Sequence, residues 1–295
     1  VSAIVSGGHT ADVFWMDAGR GHWISSTYYF KQLPTWVTAY NKQNLFAPFM
    51  ERSWEPSKTL EGYKNSEHSV IDFTPAKTGF FSKPFFRKVG SIFKKDDDKF
   101  DAAALLYTPF GNSLTTQFAR EAIVGEELGK DDHTDLLTIV YDTPRLIGEH
   151  FGPRSIELED MYYKLDTELG ILTDYLLAQF KPGEVVVVLT SDHGTIQVDR
   201  PVRVQGDRET SSNLRYKTGR NLGFNPKEVF AITKPEQAHL PKSNITSTYI
   251  FAYNRDFFVY PNDTNRFVRY YNDTFQHGGI SMEEMIIPFI VMKPR

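Results

Sequence analysis

The chain of 295 residues is 40% hydrophobic and 14% aromatic, which is enough for the core of one large domain or two smaller ones. Its formal net charge of −4 provides no broad basic surface, so the composition argues against binding of duplex nucleic acid. The absence of cysteine excludes disulfides, thiolate nucleophiles and Cys–zinc sites, and no apolar run is long enough to span a membrane.

The amino-terminal region predicts a strand, a hairpin and a short helix. The β-branched run at residues 1–5 predicts an internal strand, so we expect sequence missing before it. Aromatic-rich segments around a glycine-containing turn at 11–26 predict a β-hairpin, and residues 33–43 predict a short helix.

Residues 45–100 predict a cap-like insertion or long loop, because prolines and scattered aromatics interrupt any periodicity. Within it, the charged run KKDDDK at 94–99 predicts a solvated loop, with calcium binding as the alternative. A second excursion, polar and rich in arginine, asparagine and glycine, is predicted at about 195–247. We expect both to belong to a single domain that covers residues 1–295.

The intervening segments predict alternating helices and strands. A helix capped by Asn112 or Ser113 should precede a buried strand at 135–141, and Ser155 should cap a long amphipathic helix that ends near residue 182. Four further segments predict strands: the valine-rich run at 185–190, the aromatic segments at 247–261 and 266–273, and the apolar carboxyl terminus. The uninterrupted valine run suits a parallel strand covered on both faces, and the alternation predicts an open α/β sheet, mostly parallel, with helices on both faces.

One aspartate and two histidines are candidate metal ligands. Asp192 and His193 follow directly at the carboxyl end of the valine-rich strand, and carboxylate and imidazole are zinc ligands. His277 precedes two glycines that allow a tight turn beside a ligand. Taken alone, each could be a structural residue, Asp192 as a turn cap and either histidine as a satisfied side chain.

The motifs LLYTPFGNSLTTQFAREAIVGEELG, GPRSIELEDMYYKLDTELG and VVLTSDHG give residues 1–194 a resemblance to PafA-type alkaline phosphatases. From TIQVDRPVRV to DTFQHGGISMEEMIIPFIVM, residues 195–295 resemble the PglZ-type effector domain of the response regulator PorX. Both belong to the alkaline phosphatase superfamily. The change near Gly194 has two interpretations, a natural hybrid lineage or a junction introduced when the sequence was assembled or engineered.

The resemblance implies a site with two zinc ions, in which an upstream Thr attacks phosphorus. Asp192 and His193 would hold one zinc together with that Thr and an upstream Asp, and His277 would help to hold the other. The nucleophile is expected upstream of Val1, so the fragment is predicted to contain no catalytic residue and to be inactive by itself.

The resemblance fails at one pair of expected ligands. Alignment of IGEHFGP puts Arg145 and Glu149 where the family has Asp and His. Asp142, Glu149 and His150 are tentative replacement ligands, although Asp142 and His150 are out of register, and these side chains could instead cap or salt-bridge near a helix start. One of the two metal sites is therefore predicted to be weakened or lost.

The predicted activity is zinc-dependent hydrolysis of phosphate esters, with monoesters favoured and diesters second. The alternative is a regulatory or ligand-binding module without turnover. The expected partner is a phosphorylated small molecule or a nucleotide-type phosphodiester. Six basic residues could line a path for such a diester or form an ordinary solvated face, and they are Arg200, Arg203, Arg208, Arg215, Lys217 and Arg220. The PafA-like part favours the periplasm, and the PorX-like part would favour the cytoplasm.

Overall fold

The computed structural model describes residues 2–17, 19–52, 54–66, 103–206, 214–240, 247–260 and 264–293. The chain forms two compact units, Val1–Val185 with Pro294–Arg295 and Val186–Lys293. The insertion predicted at 45–100 is described only to residue 66, and the charged run at 94–99 lies outside the described residues. In the described part of the chain, no helix combines the length and apolar character needed to cross a membrane.

The described part of the first unit is mainly helical. Its elements in chain order are α1 (Ser2–Gly7), β1 (Trp15–Asp17), β2 (His22–Ile24), α2 (Thr35–Lys42), α3 (Ala47–Met50), a single 3-10 turn at Leu60–Gly62, α4 (Ala103–Leu106), α5 (Phe110–Gly125), α6 (Thr143–Phe151) and α7 (Ile156–Gln179).

The predicted hairpin and short helix are confirmed and share a core with α5. Strands β1 and β2 pair antiparallel, with Trp15 opposite Ile24. Trp23 of β2 stacks on Phe118 of α5, with ring centroids 4.0 Å apart and planes at 6°. Val37 of α2 is fully buried in the same cluster. Large aromatic pairs of this kind dominate core energetics, which explains why three short elements hold together.

Helix α7 fixes the described beginning of the predicted insertion. The Ser155 cap is confirmed, since its hydroxyl oxygen accepts a hydrogen bond from the Leu158 amide at 3.2 Å. The fully buried Asp160 carboxylate accepts hydrogen bonds from Trp54 Nε1 at 2.5 Å and from the Tyr63 hydroxyl at 2.7 Å. Residues 54–66 are therefore anchored to the first two turns of this helix.

The second unit is built mainly from short strands. Its elements are β3 (Val187–Thr190), β4 (Ile196–Val198), β5 (Arg200–Arg203), β6 (Tyr216–Gly219), β7 (Val229–Ile232), a 3-10 turn at Pro235–Ala238, β8 (Thr248–Ala252), β9 (Asp256–Val259), α8 (Thr264–Tyr271), β10 (Thr274–Gln276), α9 (Met282–Met285) and β11 (Phe289–Met292). The described residues of the region predicted as a second excursion thus include four strands.

These strands form small sheets around two apolar clusters. The strand order β6-β8-β7 makes an antiparallel three-stranded sheet, and β5 pairs parallel with β9. Two pairs, β4 with β10 and β3 with β11, are antiparallel. Ile250 and Phe258 lie in one cluster, and Val198 and Phe257 in the other. The strands predicted at 247–261 are confirmed, because β8 and β9 carry these buried residues.

Two segments predicted as strands are helical. Residues 2–7 form α1, in which Val5 is 75% exposed. The helical penalty of β-branched residues is only tenths of a kcal/mol each, so such a run does not exclude a helix. Residues 264–271 form α8, whose Phe267, Val268 and Tyr271 pack on one core cluster. Their spacing of three and four residues matches one face of a helix. The strand prediction rested on aromatic content and did not take this spacing into account.

Two other local predictions are wrong. Residues 135–141 form no strand, and Leu136 is 90% exposed. A strand needs a neighbour to pair its backbone groups, and apolar content alone does not supply one. Helix α5 starts at Phe110 after Pro109, so Asn112 and Ser113 lie inside its first turn and cap nothing. The Asn112 amide instead faces Met161 at 3.4 Å.

The valine-rich strand β3 was predicted to pair with parallel neighbours and to be covered on both faces. It pairs antiparallel with β11, with Val188 opposite Val291. Val188 is 50% exposed and Phe289 is 72% exposed. In the residues that the structure describes, this strand has one antiparallel neighbour and no parallel one.

Candidate functional site

The structure brings the two predicted histidines of the second unit together. His193 follows β3, and His277 follows β10. Strands β10 and β4 pair with Gln276 opposite Ile196, so the segments that carry the histidines meet at the same end of this ladder. The two imidazole rings stack with centroids 3.9 Å apart and planes at 13°. Residues 84 positions apart in sequence (277 minus 193) are thereby direct neighbours.

The hydrogen bond of His193 determines which ring nitrogen can bind a ligand. Its Nδ1 lies 2.9 Å from the carbonyl oxygen of Gly194. A carbonyl oxygen only accepts, so Nδ1 carries the proton and donates it. In the neutral ring Nε2 then holds the free lone pair, and this is the form that coordinates a metal.

Asp192 is more exposed than its neighbour. Its side chain is 75% exposed, whereas that of His193 is 24% exposed. One carboxylate oxygen accepts the backbone N–H of His193 at 3.0 Å, and the other lies 3.7 Å from His193 Nε2. The carboxylate thus stands beside the nitrogen that is free to bind.

These donors match zinc in chemistry but not in number. Zinc in proteins takes imidazole nitrogen and carboxylate oxygen, with at least three protein ligands in most sites. Across the described ranges, no group of three or more His, Asp and Glu side chains is placed to hold a metal ion. The pair His193 and His277 with Asp192 therefore offers the donor types that zinc takes, and a zinc site there would need a further ligand or a shift of Asp192.

The tentative ligands lie in the first unit, where the Arg145 guanidinium pairs with two of them, Asp142 and Glu149. Arg145 donates from Nε and Nη2 to both oxygens of Asp142 at 2.9 Å and from Nη1 to Glu149 at 2.8 Å. The hydrogen bond to Asp142 raises the pKa of Arg145 further above its ordinary value, so the cation is permanent. Asp142 and Glu149 thus already have a positive partner, and the Asp142–Arg145–Glu149 cluster does not fit a metal ion.

His150 points to aromatic neighbours. Its ring meets those of Tyr107 and Phe151 edge-on, with centroids 5.6 Å and 4.6 Å away. Although the residue stays partly exposed, burial of the ring lowers the pKa of His150, which keeps it neutral near pH 7. A neutral imidazole can bind metal, but the carboxylates of its own segment are held by Arg145.

The described basic residues of the second unit differ in whether a phosphate could reach them. Arg215 is fully buried against Glu284, and Arg200 forms a bidentate pair with the buried Asp256. Lys217 is 6% exposed and lies 5.2 Å from the centre of the Tyr260 ring. Arg203 and Arg220 are exposed, and Arg208 lies outside the described residues. Both sequence-based interpretations are therefore wrong for Arg215 and Lys217, which are buried, whereas the Arg200 side chain stays 60% exposed while it pairs with Asp256.

Sequence reasoning missed the residues that hold the His277 loop. Glu284 is buried, and its carboxylate closes a capping box with Ser281 at the start of α9. The signal was available in the sequence, since Ser-x-x-Glu before an apolar run is a helix-start pattern. Its buried partner Arg215 could not be found this way, because the two residues are 69 positions apart.

Comparisons with known proteins agree on a resemblance to alkaline phosphatases. The family model described as the BREX system PglZ alkaline phosphatase-like domain matches residues 158–292. The alkaline phosphatase PhoV of Synechococcus elongatus is 37% identical over 66% of this chain and 35% of its own length. The alkaline phosphatase PafA of Elizabethkingia meningoseptica is 34% identical over 65% of the chain and 35% of its own length.

The fold agrees with these matches. A crystal structure of a multiply substituted PafA aligns with 97% of this chain and 63% of its own, with a TM-score of 0.70 at 22% identity. The chain thus resembles the alkaline phosphatase superfamily in sequence and has an alkaline-phosphatase-like α/β fold, as predicted. The chain spans about a third of the length of the curated relatives it matches. The PglZ-like match begins before Gly194, so it crosses the predicted change of resemblance.

Proposed function

Because the chain resembles alkaline phosphatases in sequence and fold, we propose that it forms part of a zinc-dependent hydrolase of phosphate esters. The stacked pair His193 and His277 carries this proposal. Phosphomonoesters are the proposed substrates because the relatives are named alkaline phosphatases, and nucleotide-type phosphodiesters come second. The periplasm is the proposed compartment on the same resemblance.

The proposed roles follow from the site geometry. His193 would bind zinc through Nε2, because its Nδ1–H is held by the Gly194 carbonyl. His277 would supply the second imidazole, and Asp192 an oxygen after a change of rotamer. Zinc would supply charge stabilisation at the phosphoryl oxygens. None of these three residues serves as the nucleophile, so we propose that residues 1–295 alone bind zinc without turning over an ester.

We also propose that the two units are parts of one domain of this superfamily. The likeness to the PafA fold extends over 97% of the chain, which supports a single domain. The segments at about 45–100 and 195–247 would then be its insertions.

The deciding measurement is zinc content per chain by plasma mass spectrometry after dialysis against a weak chelator. Wild type should retain about one zinc ion, because the Asp142–Arg145–Glu149 cluster excludes a second. The double variant His193→Ala, His277→Ala should retain none. His239→Asn is the matched control, because His239 is an exposed histidine of the same unit with φ 55°, which asparagine tolerates. Zinc retained by the double variant, or none in wild type, would overturn the proposal.

A second candidate is a phosphate-ligand-binding module without turnover. The observation that favours it is that Arg145 and Glu149 stand where the family resemblance expects a pair of metal ligands and pair with each other instead, so a metal needed for turnover would lose two ligands. Calorimetric titration with inorganic phosphate separates the two proposals. Binding that persists in the double histidine variant supports the module, and binding that requires zinc and both histidines supports the hydrolase site.

A further inference from the structure

A buried ion pair lies behind the two histidine loops. Arg215 is 0% exposed and Glu284 is 2% exposed. Arg215 Nε donates to one carboxylate oxygen of Glu284 at 2.9 Å, and Nη2 donates to the other. Nη1 donates to the carbonyl oxygens of Tyr253, at 3.2 Å, and Asp256, so the guanidinium also holds the turn between β8 and β9.

Glu284 connects this ion pair to both loops. Its carboxylate accepts the backbone N–H groups of Gly279 at 2.9 Å and Ser281 at 3.2 Å, and the Ser281 hydroxyl at 2.6 Å. These residues follow His277 within four positions. The backbone carbonyl of Glu284 accepts the N–H of Gly194 at 2.9 Å, directly after His193. One residue thus hydrogen-bonds to the segment of each histidine.

The approach of both loops is close enough to require glycine. A Cβ on Gly279 would lie 2.7 Å from Arg215 Cζ and 2.8 Å from the carbonyl oxygen of Ala252. A Cβ on Gly194 would overlap the carbonyl oxygen of Glu283. Real Cβ atoms do not make such contacts, so a side chain at either glycine would force its loop away from the residues around the ion pair.

We propose that Glu284, held by Arg215, is a positioning residue that sets the spacing and parallel alignment of the His193 and His277 rings. The attraction between the two buried charges is largely offset by their desolvation, so the contribution of Glu284 lies in its directional hydrogen bonds. An apolar residue in its place would leave three donors of the His277 loop unsatisfied. The consequence for metal affinity rests on the proposed function, whereas the ring alignment does not.

The test measures ring alignment without metal. Stacked imidazoles shield each other, so NMR of 13Cε1-labelled histidine should place the His193 and His277 signals upfield of the exposed His239 at one fixed pH. Glu284→Gln presents an NH2 group to the donors of Arg215 and Ser281, so both signals should move to the unstacked position. Arg220→Gln is the control, because it removes an exposed cation of the same unit and should leave both signals unchanged.

A milder variant keeps the test valid if Glu284→Gln does not fold. Ser281→Ala removes one hydrogen bond to Glu284 and should move His277 more than His193, because Ser281 lies on the His277 loop. Folding of each variant is checked by circular dichroism. Histidine signals at the wild-type positions in every folded Glu284 or Ser281 variant would overturn the inference.

Zinc affinity gives a separate readout. If wild type binds zinc, competition with a chromogenic chelator should show that Glu284→Gln weakens zinc binding by about 10- to 100-fold. If Glu284→Gln is unfolded, Ser281→Ala should weaken zinc binding instead. An unchanged affinity would overturn the positioning role at the metal. If wild type binds no zinc, the hydrolase proposal fails, and the NMR shifts still decide whether Glu284 aligns the rings.

Discussion

Replacement of Asp160 tests whether its carboxylate is the anchor of residues 54–66. It accepts hydrogen bonds from Trp54 Nε1, the Ser57 amide and the Tyr63 hydroxyl at 2.5, 2.6 and 2.7 Å. A hydrogen bond to a charged group contributes about 1.5–3 kcal/mol, but bonds to one acceptor are not additive. For Asp160→Ala we therefore expect the free energy of unfolding to fall by about 3–5 kcal/mol.

The assay is urea denaturation followed by tryptophan fluorescence. All four tryptophans lie in the first unit, so the signal reports the unfolding of that unit. Asp166→Ala is the matched control, because Asp166 is an exposed carboxylate on the same helix and should change stability by less than about 0.5 kcal/mol. A loss below about 1 kcal/mol for Asp160→Ala, with an unchanged slope, would refute the anchoring argument.

A double-mutant cycle locates the effect. Asp160→Asn keeps the volume but can turn an NH2 group toward Trp54 Nε1, which leaves two donors facing each other. Trp54→Phe removes one of these donors, so its cost should be smaller in the Asp160→Asn background than in wild type. Purely additive free energies would show that Trp54 and Asp160 do not interact.

Three further predictions concern zinc content, pH and the space for a Cβ at two glycines. The double variant Arg145→Asp, Glu149→His should bind about one more zinc ion than wild type by plasma mass spectrometry, because it removes the guanidinium and supplies a carboxylate and an imidazole as ligands, and an unchanged content contradicts this. Burial raises the pKa of Glu157 from 4.5 to about 7, so the folded state holds a proton that the unfolded state has lost, and stability should fall as pH rises from about 4.5 through 7. Glu157→Gln should remove this loss, roughly 3 kcal/mol at most, in urea titrations at pH 5 and pH 8, and equal pH dependence of both proteins refutes it. Gly170→Ala should stabilise α7 by about 0.5–1 kcal/mol, because a Cβ there meets nothing within 4 Å, whereas Gly279→Ala should destabilise its unit by about 1–3 kcal/mol in thermal melts.

The sequence was sufficient wherever one local rule determined the outcome. Ser155 caps its helix, the hairpin at 15–24 forms, and β8 and β9 are strands, because capping, turn chemistry and aromatic content act over a few residues. The motifs around Asp192 and His277 also sufficed to indicate the alkaline phosphatase superfamily. Their role as zinc ligands stays a prediction.

Predictions from local patterns were wrong where tertiary packing or strand pairing decides the secondary structure. Residues 135–141 have strand composition but no pairing partner in the described part of the chain, and residues 264–271 form a helix because three of their apolar side chains reach one core cluster. A strand is stabilised by its neighbours, so composition alone cannot establish it.

Tertiary structure decided which charged residues are available to a ligand. The sequence shows Arg145, Arg200 and Arg215 as equivalent cations, but each is held by a carboxylate in the fold, from Glu149 four residues away to Glu284 at a separation of 69 positions. The stacking of the His193 and His277 rings, with centroids 3.9 Å apart, likewise follows from the tertiary structure. The sequence by itself determined the resemblance to the superfamily and the residue types of the candidate site. The pairing of these residues follows from long-range contacts, because Coulomb energy and coordination depend on distances that only the folded chain defines.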